Sequence, residues 1–406
     1  MILYLGSAQM FSNVVRIISG LLVARFVLPE LLGTFNGIGI IMGYLPILQL
    51  GIMNGLNRDL PYYFGKGEFE RARKYASVTQ FWELSLSLLA FSILVFLSVY
   101  YFFKSNYLFA AGFFSYALAS IHHYFGLNYL QVLFRTNQDF NKLSSITLII
   151  SIISLLSVLF VWRWKFYGLC VRSVVTLTTE LFLLWKWKPL SVKPKYDFAV
   201  LKEINKVGMP IFIVGIIFAL WSTIQNTFVL KLGGAEEFGL FQLALMIETS
   251  MGVIVYSVSQ VVYPKMAFEY GAGKDVKDLL RLSYKPILAI FILLIPSVFI
   301  AWIFLPYAVN WLLPKYGNGV EAAQWTMLLL LISIWAVNNN IFNVLKKQGD
   351  LLISILLGMV AYTITLFFLQ SINGFSLKNF PQAMIVGKLS QLIIGYFFIW
   401  RYLKTR

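Results

Sequence analysis

A single cysteine, Cys170, and two adjacent histidines, His122 and His123, are all that these 406 residues hold of the side chains most used for metal ligation and nucleophilic attack. One thiol inside an apolar run makes no disulfide framework and no cysteine-based metal site. Charge is scarce as well, at 12% of residues, where a soluble domain carries about 25%. Acids are scarcest, 17 Asp and Glu against 33 Lys and Arg, for a formal charge of +16. No nucleophile–base arrangement, metal-ligand spacing or paired catalytic carboxylates stand out. The one glycine-rich loop, Gly65-Lys66-Gly67-Glu68, lacks the Gly-x4-Gly-Lys-Ser/Thr order that cradles nucleotide phosphates. Cofactor-dependent and nucleotide-driven chemistry are not expected, and no nucleic-acid-binding motif accompanies the basic balance.

What is present is apolar: 59% of residues, with 36 Phe, 22 Tyr and 11 Trp. A spanning helix needs about 20 apolar residues, because hydrocarbon satisfies no backbone polar group. The pattern predicts an all-α polytopic membrane protein with twelve spans, at 3–28, 32–56, 80–103, 107–132, 143–162, 166–186, 208–230, 238–263, 286–306, 320–344, 351–371 and 381–402. The first is too long for a cleavable signal peptide and lacks a small-residue cleavage site. Short loops leave no room for a sizeable soluble domain.

Lysine and arginine crowd the loops after the second, sixth and eighth spans, for example Arg58, Lys66, Arg71, Arg73 and Lys74 after the second. The loops between them hold little more than one basic residue each. The positive-inside rule therefore predicts both termini in the cytoplasm. Tyr62, Tyr63, Trp162, Trp164 and Trp400 sit at span ends, where interfacial anchors belong.

The chain also repeats itself. Arg25-x4-Glu30-x2-Gly33-x-Phe35-Asn36 aligns without a gap on Lys231-x4-Glu236-x2-Gly239-x-Phe241-Gln242, and the same register lays Gly65-Lys66-Gly67 on Gly271-Ala272-Gly273. Six spans per half keep both halves in one orientation, which predicts two lobes related by a pseudo-two-fold along the membrane normal. The expected organisation is an N-terminal six-helix lobe over 1–186, a cytoplasmic linker over 187–207 containing Pro189 and Pro194, and a C-terminal six-helix lobe over 208–406. Two lobes around a cleft suit alternating access.

Polar groups in mid-span are functional candidates, since an ionisable one costs about 2.5–3.5 kcal/mol to insert. Arg16 lies mid-way along the first span with Asn13 and Gly20 on its face. That span holds no acid. Arg172 and Glu180 share the sixth span too far apart to touch, Glu248 lies in the eighth and Lys388 in the twelfth. The structural alternative is that Glu248 or Glu180 meets Arg172 or Lys388 as an interior pair. Surplus positive charge in the first lobe suggests a cleft suited to an anion, whose phosphate or carboxylate oxygens Arg can bind two at a time. His122 and His123 read as a polar stripe facing the bundle, and Glu83 as an interfacial residue.

With those residues laid out, the sequence resembles the Wzx-type polysaccharide and O-antigen flippases of the multidrug/oligosaccharidyl-lipid/polysaccharide exporter superfamily. The likeness is carried by Gly20-Leu21-Leu22-Val23-Ala24-Arg25-Phe26-Val27-Leu28-Pro29-Glu30-x2-Gly33-x-Phe35-Asn36. It continues through Leu50-Gly51-Ile52-x2-Gly55-Leu56-Asn57-Arg58 into Tyr63-Phe64-Gly65-Lys66-Gly67. Beyond the first two spans it is one of length, span count and polarity. The resemblance implies a flippase that moves undecaprenyl-pyrophosphate-linked oligosaccharide repeat units to the outer leaflet of the inner membrane, for O-antigen, capsule or exopolysaccharide synthesis. It also implies membrane lipids, a glycan polymerase and a chain-length regulator as partners. Arg16 and Arg58 would then face the pyrophosphate or acidic sugars, with Arg25 and Lys231 at the outer mouth. Asn36, Gln242, Arg172 and Lys388 complete the candidate substrate contacts. Glu248, Glu180 and His122 are the candidates for coupling to a proton or sodium gradient or to the membrane potential. The lipid II flippases of the superfamily usually carry two further spans. The rival readings are a cation-coupled multidrug exporter, which wants acids in its cleft, and a membrane glycan polymerase or ligase, which wants a large outward loop. A major-facilitator carrier would need an Asp-Arg/Lys-x-Gly-Arg signature that the stretch from Arg58 to Tyr75 lacks.

Overall fold

The computed structural model describes residues 2–404, and no strand occurs among them. The chain opens with α1 (Ile2–Phe26). A broken second passage follows: α2 (Pro29–Gly39), α3 (Ile41–Tyr44), a 3-10 turn (Leu45–Gln49) and α4 (Ile52–Gly65). Next come α5 (Phe69–Phe103) and α6 (Tyr107–Ile121), which runs through a π-helical stretch (His122–Leu130) into α7 (Gln131–Thr136). α8 (Phe140–Leu156) and α9 (Val158–Trp187) complete the first six passages. α9 contains a sharp reversal at Lys165 (φ 51°, ψ −113°).

α10 (Phe198–Gly271) is two passages joined at Gly234 (φ 81°, ψ −174°). α11 (Val276–Leu312) precedes a 3-10 turn (Pro314–Gly319), and α12 (Val320–Ser333) passes through a second one (Ile334–Asn339) into α13 (Asn340–Val344). α14 (Gln348–Asn373) and α15 (Asn379–Lys404) end the described chain. Counting the breaks at Lys165 and Gly234, each of the twelve expected spans falls on one helical passage. The protein has an all-α, twelve-helix membrane fold. Eight described stretches are long and apolar enough to cross a bilayer, and the 74-residue α10 counts once among them.

Many large apolar side chains face outward, Phe103 at 80% exposure and Ile364 at 65% among them. In water such a surface would be an aggregation hazard; against lipid tails it costs nothing. The core of the first unit is fully closed. Leu56, Leu60, Phe134, Leu184 and Ile204 are all at 0% exposure in one cluster. In the second unit Leu294, Val298, Met327 and Leu330 form a smaller cluster.

Contacts divide the chain into two compact units, residues 1–223 and 224–406. The expected boundary at 207/208 thus moves into the seventh passage. The linker and the start of α10 are tied to the first unit by short-range bonds. Lys195 N donates to Ser77 O at 3.3 Å, and Asn205 Nδ2 donates to Leu50 O at 2.6 Å. Gly51, left-handed at φ 81°, meets Gly208 so closely that a Cβ on Gly208 would stand 1.9 Å from the Gly51 oxygen. Only glycine fits at both positions.

The sequence repeat is also a repeat of backbone. α4 ends at Gly65 and α10 at Gly271, two residues before glycines at φ 77° (Gly67) and φ 87° (Gly273). The bonds Lys66 N→Tyr62 O, Gly67 N→Phe64 O and Glu68 N→Tyr63 O recur as Ala272 N→Phe268 O, Gly273 N→Tyr270 O and Lys274 N→Glu269 O. This is a helix C-cap of the Schellman kind, in which a left-handed glycine lets the last carbonyls find donors.

Candidate functional site

Within the first unit, α1, the π-helical stretch, α8 and α9 surround a cavity of about 420 Å³. Its wall includes Arg16, His122, Gln131, Thr147, Ser154 and Glu180. Of these groups His122 is buried, while Arg16 is exposed where it lines the cavity. Arg16 has no acidic or hydrogen-bonding partner among the described residues. His122 comes from the π-helical stretch, where one wider turn re-aims side chains; such turns recur at functional sites. Its Nε2 lies 3.0 Å from Glu180 Oε2, with side-chain exposures of 4% and 20%, at an angle that makes no hydrogen bond. Gly126 allows this placement, since a Cβ there would stand 3.1 Å from the His122 ring.

Arg172 stands behind the same wall. Its Nη2 donates to Ser19 Oγ at 2.8 Å and to Ser154 Oγ at 2.9 Å, and its Nε to Ser154 O at 3.4 Å. The guanidinium therefore cross-links α1, α8 and α9 rather than meeting an acid. Glu180, expected to be too distant from Arg172 to touch it, lies instead against His122, while Arg172 points to the serines. In the second unit Glu248 and Lys388, both half-buried, lie near enough to influence each other electrostatically, with Tyr362 near the carboxylate.

The remaining expected contacts sit elsewhere. Arg25 is exposed in the last turn of α1, and Lys231 is exposed just before the Gly234 break. Arg58 is exposed on α4, with its Nε 3.8 Å from Asp59 Oδ1. Asn36 is half-buried on α2. Gln242 is half-buried, and its Nε2 donates to Phe238 O on its own helix at 3.2 Å. The structure gathers Arg16, His122 and Glu180 into one cavity, and no described contact joins Arg25 or Arg58 to it.

Glu83 overturns its reading as an interfacial residue. It is at 0% exposure inside the first unit, with Oε2 accepting from Gln49 Nε2 at 3.3 Å and Oε1 unpartnered. α5 begins with a solvated turn and a half, so a position near the start of the expected span is already deep in the bundle. Thr79, Gln80, Glu83 and Ser87 are all buried on that stretch of α5. Their near-helical spacing was the available signal. Opposite them the second passage breaks at Leu50 (φ 49°) and Gly51, which supplies Gln49.

Helical passages throughout and a lipid-compatible surface define a polytopic membrane protein, with a polar cavity in its first unit. The sequence model of a family described as polysaccharide biosynthesis protein matches residues 70–317. The chain belongs to this polysaccharide biosynthesis family. No curated protein matches the sequence. Among solved structures, it is similar to an inward-facing multidrug resistance MATE family transporter of the MOP superfamily, with TM-score 0.81, 14% identity and coverage of 97% of this chain and 96% of that one. An outward-facing MATE transporter gives TM-score 0.69 at 17% identity, covering 100% and 96%. A MOP superfamily transporter from Pyrococcus furiosus, described as having a binding pocket of reversed polarity, gives TM-score 0.68 at 16% identity, covering 100% and 96%. These likenesses show the shared MOP fold.

Proposed function

We propose that the protein is a flippase that carries lipid-linked oligosaccharide, undecaprenyl pyrophosphate bearing a sugar repeat unit, from the cytoplasmic to the outer leaflet of the inner membrane. The observation that carries the reading is Arg16: a guanidinium with no acidic contact among the described residues, on the wall of a polar cavity in a member of a polysaccharide biosynthesis family. A cation without a local acid is tolerated in hydrocarbon when it serves an anion or water-filled space. Pyrophosphate oxygens match its planar fork.

The physical task is to move a large polar head past hydrocarbon while its polyprenyl tail stays in lipid. Two units that open alternately to each side accomplish this without exposing the head to lipid tails. The driving term is a proton, a sodium ion or the potential, worth about 2.3 kcal/mol per charge per 100 mV. The His122–Glu180 contact in the Arg16 cavity and the Glu248–Lys388 pair are the coupling groups in this scheme.

The test is reconstitution. Purified protein in liposomes is expected to move a fluorescent polyprenyl-pyrophosphoryl saccharide between leaflets faster than protein-free vesicles. Transport of cationic dyes with no movement of the sugar lipid would sink the proposal and favour a multidrug exporter on the shared fold.

A further inference from the structure

A cavity larger than that of Arg16 lies in the second unit and contains none of the residues discussed so far. It has a volume of about 1110 Å³, and its wall is built by the first turns of α11, the 3-10 turn in the tenth passage and α15. Drug-sized ligands occupy pockets of about 300–1,000 Å³, so this space takes a head group larger than a single ring.

One side is cationic. Lys277, Arg281 and Lys285 follow each other at four-residue intervals on α11, and that spacing places them on one helix face. Asp278 lies 3.7 Å from Arg281 Nη1 and is itself half exposed. Lys277 and Lys285 have no acidic partner among the described residues. A net positive wall at a membrane boundary calls for an anion.

The other side is aromatic. Trp335 faces Tyr284 at 6.1 Å and Phe291 at 5.5 Å between ring centroids, and Tyr396 stands on α15. Beneath them Asn338, at 3% exposure, is held by two bonds. Ser283 Oγ donates to its Oδ1 at 2.6 Å, and its Nδ2 donates to the Tyr396 hydroxyl. Tyr396 is thereby fixed in place with its own O–H proton left to donate. Flat aromatic faces beside fixed hydroxyl donors are the chemistry that accepts a sugar ring, whose C–H faces stack and whose hydroxyls hydrogen-bond. A lysine stripe alone would suit any anion; the aromatic wall selects among them.

A second cavity of about 500 Å³ shares Leu282 with the first; Val258, Val261, Val262, Pro286 and Ile290 make most of its wall, with Ser257 and Lys265 beside them. A basic, aromatic space next to a mainly aliphatic one matches an amphiphile with an anionic sugar head and a hydrocarbon tail. The charge rule assigns this end of α11 to the cytoplasm, the side on which such a lipid is made.

We propose that the cavity bounded by Lys277, Arg281, Lys285, Trp335 and Tyr396 is the loading site for the phosphate-and-sugar head of the lipid-linked saccharide. The proposal rests on the flippase reading and extends it to residues outside the Arg16 cavity.

Its test uses the full chain in phosphatidylcholine nanodiscs and two probes, farnesyl pyrophosphate and a farnesyl-pyrophosphoryl disaccharide. The Lys277→Gln/Arg281→Gln/Lys285→Gln variant is expected to bind both probes about tenfold more weakly than wild type, with unchanged thermal stability. Trp335→Ala is expected to weaken the disaccharide probe and leave the sugarless one unchanged, and Trp335→Phe to restore binding. If the triple variant accumulates poorly, exposed Lys285→Gln alone is expected to cost about threefold. Equal binding by wild type and the charge variants overturns the site. So does competition by phosphatidylglycerol as strong as by the probe, together with no effect of Trp335→Ala; that pair of results marks a phospholipid headgroup. Failure of the flippase reading is seen separately: gene deletion in the native host would leave its surface polysaccharide unchanged, and wild type would not flip the disaccharide probe.

Discussion

Arg16 is exposed on the wall of a polar cavity, whereas Glu83 is fully buried in the bundle. Arg16 lines a polar cavity whose one acid, Glu180, lies against His122 rather than Arg16; in the flippase reading its charge is the one offered to the substrate. Arg16→Ala is expected to lower glycan export at least about tenfold, with the amount of protein in the membrane unchanged; undiminished export would remove it from the site. Arg16→Lys should fall between, because lysine keeps the charge and loses the two-oxygen fork. Glu83 has no exposure and only Gln49 as a side-chain partner. Glu83→Gln is expected to leave the folded amount near wild type, since an amide can exchange hydrogen bonds with Gln49. Glu83→Lys, which places a longer cationic chain in the same dry space, should cost on the order of 2.5–3.5 kcal/mol and be read as lost protein on a membrane immunoblot. That Arg16 stands mid-helix without an acid on its own span was legible from the apolar run of α1. The burial of Glu83 was not, because it depends on a helix break far away in the chain and on which face of α5 that break meets.

The elements carry a second layer of constraint, at their interruptions. Four of them, at Leu50–Gly51, His122–Leu130, Lys165 and Ile334–Asn339, fall within or between expected spans. Two bring site residues, His122 and the pair Trp335 and Asn338, out of regular register. Periodicity cannot announce a π turn or a 3-10 turn, since both retain apolar neighbours; only the packing that stabilises them does. At the first break, Gly208→Val is expected to abolish the Gly51 contact and reduce folded protein sharply, measured by the detergent-extracted monodisperse fraction. Wild-type yield from that variant would mean the close approach is dispensable. The start of α10 is held by Lys74 Nζ to Asp197 Oδ2 at 2.9 Å and by Arg71 to Glu203. Donation from Lys74, helped by the Val200 N–H, holds the Asp197 carboxyl below the usual carboxylate range. A carboxyl depressed in the folded state lends stability that is present in full above its unfolded value near 4 and is lost as pH falls through the folded value. Amides of residues 195–206, corrected for intrinsic exchange, should therefore keep their protection down to about pH 4 and lose it below. Lys74→Gln should remove that pH dependence, and a dependence that survives it would point to another group.

For the whole molecule, the duplication orders both the chemistry and the topology. A Cys170→Ser protein offers a background free of cysteine, so single cysteines introduced between residues 58 and 79 report their side directly. Labelling by an impermeant maleimide is expected only after the cytoplasmic face is opened; labelling in intact cells would reverse the orientation. Composition by itself determined the solvent of this protein, because 59% apolar residues with 12% charged can bury their backbone polar groups only as helices in lipid. The periodic runs determined the number of passages, and the aligned glycines determined that the second passage of each half ends in the same cap, since a left-handed residue there admits little else. Tertiary structure alone decided which polar side chains meet. It set Glu180 against His122, drew the linker and the start of α10 onto the first unit, and gathered Lys277, Arg281 and Lys285 around the cavity that Trp335 also lines. The physical reason is one of range. Local spacing dictates which face of a helix a residue occupies, while the neighbour on that face comes from residues tens to hundreds of positions away, chosen by the packing of the whole unit.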